Sequence, residues 1–140
     1  MIVLDTNVIS ELMAPEPASQ VERWVAARPA TSMYTTAVTE AEILFGVRLL
    51  QKGKRRDRIE AAAEELFGRV FAGRVLPFGS DAASAYARIA AERRRRGTRM
   101  SALDAQIAGI VRAAGGSLAT RNVADFTGCG IDVVDPWASR

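Results

Sequence analysis

Four acidic residues are the first candidates for chemistry in this chain: Asp5, Glu42, Asp104 and Asp125. Asp5 directly follows the apolar run Ile2–Leu4, which predicts a short buried strand. In an open α/β sheet the carboxyl ends of the strands border the crevice where ligands bind, so an acid there is well placed to hold a cation. The chain contains no histidine. We therefore expect carboxylate chemistry that uses a metal.

Three of these acids also have a purely structural interpretation as helix caps. Asp5 suits the N-cap of a short helix. Glu42 stands three residues after Thr39, and Asp104 three residues after Ser101, which is the spacing of a capping box. On these patterns alone, each acid is either a helix cap or a ligand.

Asp104 has a further property that favours a ligand. It shares a predicted helical face with the apolar residues Ile107, Ala108 and Val111, so it begins on the buried side of its helix, where an unpaired charge is costly. Several converging carboxylates would also raise one another's pKa, and a divalent cation removes that conflict. Oxygen-only ligands favour Mg²⁺ or Mn²⁺. The fourth acid, Asp125, has a structural interpretation too, because it suits the start of a turn.

The elements that must position these acids alternate between strands and helices. This order predicts an α/β fold: a single α/β/α sandwich, with a mainly parallel central sheet flanked by helices, over residues 1–140. The predicted strands are Ile2–Leu4, Ser32–Ala37, Val75–Phe78, Ser117–Thr120 and Ile131–Val134. The predicted helices are Val8–Met13, Ser19–Arg28, Val38–Gln51, Arg56–Phe71, Ser80–Arg96 and Ser101–Ala114.

Composition indicates an ordinary globular protein. Hydrophobic residues make up 49% of the chain and charged residues 25%. No apolar stretch approaches the ~20 residues that cross a bilayer, and no signal-peptide pattern opens the chain. The single cysteine, Cys129, has no internal disulfide partner. We expect a cytoplasmic protein.

Basic residues cluster in two places, between Lys52 and Arg58 and between Arg93 and Arg99, in a chain of net charge +3. Such clusters suit a polyanion, because phosphate contacts release counterions. They are equally consistent with solvated helix ends, where cations complement the helix dipole.

Several segments match one protein family. The opening run Met1–Ser10 resembles the start of PIN-domain proteins, specifically the VapC/FitB-like toxins. The further matching segments are Thr39-Glu40-Ala41-Glu42 with Gly46, Val75–Phe78, Ser101–Ala108, Ala119–Asn122 with Asp125-Phe126, and Asp135–Trp137. The resemblance covers about residues 2 to 137, with the motifs in the family's order and spacing.

The resemblance implies an Mg²⁺- or Mn²⁺-dependent endoribonuclease, usually dimeric, that acts as the toxin of a type II toxin–antitoxin pair. It implies an RNA substrate and a cognate antitoxin that silences the protein. DNA binding would then belong to the antitoxin, since this chain has no helix-turn-helix signature. Amphipathic helices at Ser19–Arg28, Val38–Gln51 and Arg56–Phe71 either form an apolar groove for a partner helix or simply cover the sheet.

Carried over position by position, the resemblance makes Asp5, Glu42 and Asp104 the metal-binding and catalytic acids. Glu40 competes with Glu42 for the second place. The two lie about 200° apart around a helix, so only one faces the site, and the spacing to Gly46 selects Glu42.

The fourth catalytic and metal-binding acid is expected to be Asp125. Some relatives carry an acid where this chain has Asn122, which brings hydrogen bonds but no charge. Thr6, Asn7, Thr120 and Asn122 are expected beside the acids, where they orient carboxylates or water.

With no histidine, the attacking water must be deprotonated with the help of a metal and a carboxylate. Two competing functions remain. One is a small metal-dependent phosphohydrolase, although the chain lacks an Asp-x-Asp motif after the first strand and a glycine-rich phosphate loop. The other is a catalytically decayed PIN domain that acts only through its partner, an idea that Asn122 supports.

Overall fold

A single parallel sheet forms the centre of the protein. The computed structural model describes residues 1–138, so the last two residues of the predicted domain 1–140 lie outside the described residues. The strands are β1 (Ile2–Leu4), β2 (Met33–Thr36), β3 (Val75–Leu76), β4 (Ser117–Ala119) and β5 (Asp132–Val134). They lie in the order β3-β2-β1-β4-β5, and every pairing is parallel. The predicted α/β class is confirmed.

Helices connect these strands near the predicted positions. They are α1 (Thr6–Met13), α2 (Ser19–Ala26), α3 (Ala37–Leu49), α4 (Lys54–Glu65), α5 (Ser80–Arg95) and α6 (Ala102–Ala114). The predicted helix Arg56–Phe71 differs most, since its last part, Leu66–Val70, is π-helical. There the Phe71 amide donates to the Leu66 carbonyl, five residues back, at 2.8 Å. With this wider turn, Phe67 and Phe71 both lie in the apolar core.

The sheet separates two apolar cores. Because successive strand side chains face opposite sides, Val3 packs with Ile89 and Ile107 of α5 and α6, whereas Leu4 packs with Val8 and Trp24 of α1 and α2. Helices therefore cover both faces of the sheet, as predicted. Within residues 1–138, no helix has both the length and the apolar character needed to span a bilayer.

Helices α5 and α6 pack with backbone contact at Gly109. A Cβ atom at this position would lie 2.8 Å from the Ala82 carbonyl oxygen and 2.9 Å from the Tyr86 nitrogen. Only glycine allows this approach without a shift of one helix. The contact fixes α6, whose first turn carries Asp104.

The strand order reverses between β1 and β4. From β1 the chain builds β2 and β3 on one side and then places β4 and β5 on the other. At such a switch point the carboxyl ends of the two strands border an open crevice. Asp5 follows β1 and Thr120 follows β4, so both lie at this crevice.

Candidate active site

Asp5 is buried at the crevice, with 4% of its surface exposed. Its Oδ1 accepts the Thr6 amide at 2.8 Å, which makes Asp5 the N-cap of α1. Its Oδ2 accepts the Thr120 hydroxyl at 2.7 Å. The structural and the functional interpretations of Asp5 are therefore compatible, because one carboxylate caps α1 and also lies at the crevice, where it contacts Thr120.

The Thr120 hydroxyl is fully buried and has all its hydrogen-bonding capacity in use. It accepts the Asn7 side-chain amide and the Asn122 backbone amide, each at 3.1 Å. Since a hydroxyl has two lone pairs and one proton, its proton is directed to Asp5. Asn7 also accepts the Arg121 amide at 3.2 Å, so Asn7 and Thr120 together tie α1 to the loop after β4.

Glu42 does not form the capping box that its spacing suggested. The N-cap of α3 is Thr36, whose hydroxyl accepts the Thr39 amide at 3.0 Å. Glu42 instead accepts the Thr6 hydroxyl on Oε1 at 2.9 Å. The capping interpretation of Glu42 is therefore wrong, because Thr36 already satisfies the amide that Glu42 would have bound.

Thr39 takes part in the site in a way that the sequence reasoning missed. Its hydroxyl lies 3.1 Å from the Thr6 hydroxyl. Because the Thr6 proton is directed to Glu42, the Thr39 hydroxyl must be the donor in this contact. The fully buried Thr39 thus begins a relay from Thr39 to Thr6 to Glu42. Its only sequence signal was its place three residues before Glu42, on the same helical face.

Asp104 lies in the first turn of α6, where its amide donates to the N-cap Ser101 at 3.1 Å. It is half-buried, and Ile107 and Ala108 on the same face are fully buried, as expected. Burial raises the pKa of Asp104 above its ordinary value. A hydrogen bond with Ser101 lowers this pKa and the nearby charge of Asp125 raises it.

The fourth position is divided between two residues of the loop after β4. Asp125 is exposed in the 3₁₀ turn Val123–Phe126, and its charge acts on Asp104. Asn122 precedes this turn and bonds Thr120 through its backbone amide. Of these two residues, Asp125 is therefore the one whose charge acts on Asp104, whereas Asn122 helps to hold Thr120.

The site concentrates negative charge around Asp5. Burial raises the pKa of Asp5, the bonds from Thr120 and the Thr6 amide lower it, and the charges of Asp104 and Glu42 raise it further. Such a group of oxygen donors fits a divalent cation such as Mg²⁺ or Mn²⁺. Within residues 1–138, no group of three or more acidic, histidine or cysteine side chains is already arranged to hold one metal ion.

Comparisons with known proteins agree with this architecture. The PIN domain family matches residues 2–126. The chain is 40% identical to the VapC ribonuclease Y4jK of Sinorhizobium fredii, over 98% of each chain. It is 36% identical to the toxin FitB of Neisseria gonorrhoeae, over 98% of this chain and 99% of that one.

Solved structures extend the same likeness to three dimensions. In a structure of FitAB bound to an IR36 DNA fragment, the matching chain has a TM-score of 0.92 and 35% identity, over 100% of this chain and 98% of that one. In DNA-bound VapBC from Salmonella typhimurium, the TM-score is 0.83 at 26% identity, over 96% and 97%. The protein belongs to the PIN-domain family and, within it, to the VapC/FitB family of ribonuclease toxins from toxin–antitoxin systems. The family predicted from the sequence is confirmed.

Proposed function

We propose that the protein is an Mg²⁺- or Mn²⁺-dependent endoribonuclease, with Asp5, Glu42, Asp104 and Asp125 as its catalytic acids. The observation that carries this proposal is the buried Asp5 carboxylate, which accepts two hydrogen bonds while the charges of Asp104 and Glu42 lie beside it. Keeping this much negative charge together is costly unless a cation neutralises it. Family membership supports RNA as the substrate.

Asp5 and Asp104 would be the principal metal ligands, and Glu42 and Asp125 would bind the ion directly or through water. The chemistry that the bound ion supplies is the activation of a water molecule and the stabilisation of negative charge on the phosphate. Thr120 and the Thr6 amide keep the Asp5 carboxylate oriented and favour its ionised form.

The other catalytic roles follow from exposure and hydrogen bonding. The Thr39–Thr6 relay holds the Glu42 carboxylate at the crevice. Asp125 is the exposed acid, so it is best placed to accept the proton of the attacking water and release it to solvent. No histidine is available for this task.

The proposal is tested with purified, EDTA-treated protein, an RNA oligomer and added Mn²⁺. Asp5→Asn and Glu42→Gln should each lower the cleavage rate at least 100-fold, with circular dichroism unchanged. Glu40→Gln is the matched control, because it makes the same charge change two residues from Glu42, about 200° away around α3. It should cleave within threefold of the wild type. Full activity of Asp5→Asn would contradict the assignment.

The same assay separates the two competing functions. A small phosphohydrolase would hydrolyse p-nitrophenyl phosphate faster than it cuts RNA in the same Mn²⁺ buffer. A decayed domain would show neither reaction and no calorimetric heat with Mn²⁺. Cleavage of RNA alone, together with Mn²⁺ binding, supports the endoribonuclease.

We further propose that a helix of the cognate antitoxin occupies an apolar cavity of about 670 Å³. The cavity lies between α1, α3 and α4; the predicted groove included Ser19–Arg28, but no residue of α2 lines the cavity. Its apolar lining includes Met13, Ile43, Val47 and Ile59, and two arginines of α4 also line it. The partner should therefore be an amphipathic helix that carries acidic residues beside its apolar face. The FitAB and VapBC relatives are complexes of this kind of protein with a partner.

Two variants test this groove. Ile59→Asp places a charge in its apolar lining, and Gly46→Leu fills it, since no atom lies within 4 Å of a Cβ at Gly46. Each should weaken antitoxin binding at least tenfold in calorimetry while RNA cleavage stays within twofold of the wild type. Unchanged affinity in both variants would place the antitoxin elsewhere.

A cytoplasmic homodimer completes the proposal, with DNA contacted only through the antitoxin. Phe45 and Leu49 of α3 are 64% and 70% exposed, and neighbouring apolar side chains of this kind are typical of protein interfaces. Light scattering of the purified chain should give about twice the 15.1 kDa chain mass. A monomer that still cuts RNA would refute the dimer and leave the catalytic proposal intact.

A further inference from the structure

Arg93, near the end of α5, differs from the basic residues that follow it in sequence. Its side chain is half-buried, whereas Arg94 and Arg95 are exposed and Arg96 pairs with Glu92. A run of four arginines read from sequence suggests one solvated basic patch, but the structure separates the first from the others.

The Arg93 guanidinium joins two segments of the chain. Its Nε donates to the Thr98 carbonyl at 2.6 Å, in the turn between α5 and α6. Its Nη1 donates to the Asp125 carbonyl at 3.1 Å and to the Thr127 carbonyl at 2.9 Å, in the loop after β4. A planar guanidinium with five fixed donors suits this arrangement, because it reaches several carbonyls at once.

Two sulfur atoms lie on the inner side of this contact. Arg93 Nη1 is 3.7 Å from the Sγ of the buried Cys129, and that Sγ is 3.8 Å from the Sδ of Met100. One side of the guanidinium therefore packs against buried side chains, while its hydrogen bonds to the carbonyls lie on the exposed side.

The two segments lead to Asp104 and Asp125, two of the four proposed catalytic acids. Thr98 lies three residues before Ser101, the N-cap of the helix that carries Asp104. The other segment includes Asp125 itself, through its own carbonyl. The distance between these acids matters, because the charge of Asp125 acts on Asp104.

We propose that Arg93 is a positioning residue for the acidic site: it fixes the backbone at Asp125 relative to the start of α6, and so fixes the Asp125 carboxylate beside Asp104. This inference rests on the proposed endoribonuclease function and adds a role outside the four acids. In this proposal Arg93 is not a metal ligand and acts on the metal site through Asp125.

The test compares Arg93→Gln with Arg94→Gln, an adjacent variant with the same loss of charge on an exposed side chain. Mn²⁺ affinity is measured by calorimetry at a temperature where every variant is folded, together with the Mn²⁺ dependence of RNA cleavage. Arg93→Gln should weaken Mn²⁺ binding about 10- to 100-fold, the range typical for residues that orient ligands. Arg94→Gln should bind Mn²⁺ with the affinity of the wild type. Arg93→Lys keeps the charge but lacks the planar guanidinium, so it should bind Mn²⁺ at least fivefold more weakly than the wild type does.

A double-mutant cycle with Asp125→Asn shows whether Arg93 acts through that acid. In the Asp125→Asn background, Arg93→Gln or Arg93→Lys should lower Mn²⁺ affinity by less than a further twofold. A role limited to stability would lower the melting temperature and leave Mn²⁺ affinity unchanged, which would overturn the proposal. Fully additive losses would overturn it as well. If Asp5→Asn also binds Mn²⁺ and cuts RNA normally, the proposed function itself fails, an outcome distinct from failure of the Arg93 role alone.

Discussion

Replacing Thr120 by valine perturbs the site at its most connected hydroxyl. Thr120→Val keeps the side-chain shape but removes the donor to Asp5 and the acceptor for Asn7 and Asn122. Asn122 is exposed and Asn7 is half-buried, so water replaces much of what these two lose. Asp5 is buried, and a hydrogen bond to a charged group contributes about 1.5–3 kcal/mol. We therefore expect the free energy of unfolding to fall by about 1.5–3 kcal/mol.

The same substitution should change metal binding in a pH-dependent way. The Thr120 bond lowers the pKa of Asp5, because it favours the ionised carboxylate. Without that bond the pKa rises further above its ordinary value, and protons compete better with the metal. Mn²⁺ affinity should fall about 10- to 100-fold, and the loss should be larger at pH 6 than at pH 8.

The assay is Mn²⁺ calorimetry at pH 6 and pH 8, with urea unfolding in EDTA to measure stability. Thr120→Ser is the control, since it keeps the hydroxyl, and it should bind Mn²⁺ within threefold of the wild type. Wild-type affinity of Thr120→Val at pH 6 would refute the role assigned to this hydrogen bond.

Three further predictions concern helix packing, pH and the hydroxyl relay. Gly109→Ala should lower the free energy of unfolding by about 1–3 kcal/mol in urea, whereas Gly46→Ala, on an open helix surface, should raise it by about 0.4–1 kcal/mol; equal effects would contradict the close contact of α5 and α6. The pKa of Asp5 in the folded protein lies above its ordinary value of 3.8. Between these two pKa values the metal-free native state keeps a proton that the unfolded state has already released, so the free energy of unfolding falls as the pH rises. In thermal melts with EDTA, the melting temperature of Asp5→Asn should therefore rise relative to that of the wild type between pH 4 and pH 7. A constant difference in melting temperature would argue against a raised pKa. Thr39→Val should weaken Mn²⁺ binding less than Thr120→Val does, since it acts on Glu42 through Thr6, and a larger effect would contradict that order.

The parts of the site that sequence predicts are those encoded locally. An apolar run followed by Asp5 gives both the strand and the acid at its end, because strand pattern and position fix where the carboxylate lies. Asp104 was placed on the buried side of its helix by the helical period that also places Ile107 and Ala108.

The parts that sequence leaves open depend on contacts between distant residues. The spacing of Thr39 and Glu42 fits a cap and a ligand equally well, and the decision comes from Thr36, one turn earlier, and from Thr6 across the crevice. Arg93 gave no local sign of its role, because its acceptors are backbone carbonyls, which every residue possesses.

The most direct measurement is anomalous diffraction at the manganese edge from crystals soaked in Mn²⁺. A peak bordered by the carboxylates of Asp5, Glu42 and Asp104, and lost in Asp5→Asn crystals, is the predicted result. A peak only at a different location, in protein that still cuts RNA with Mn²⁺, would contradict the central claim that these acids form the metal site.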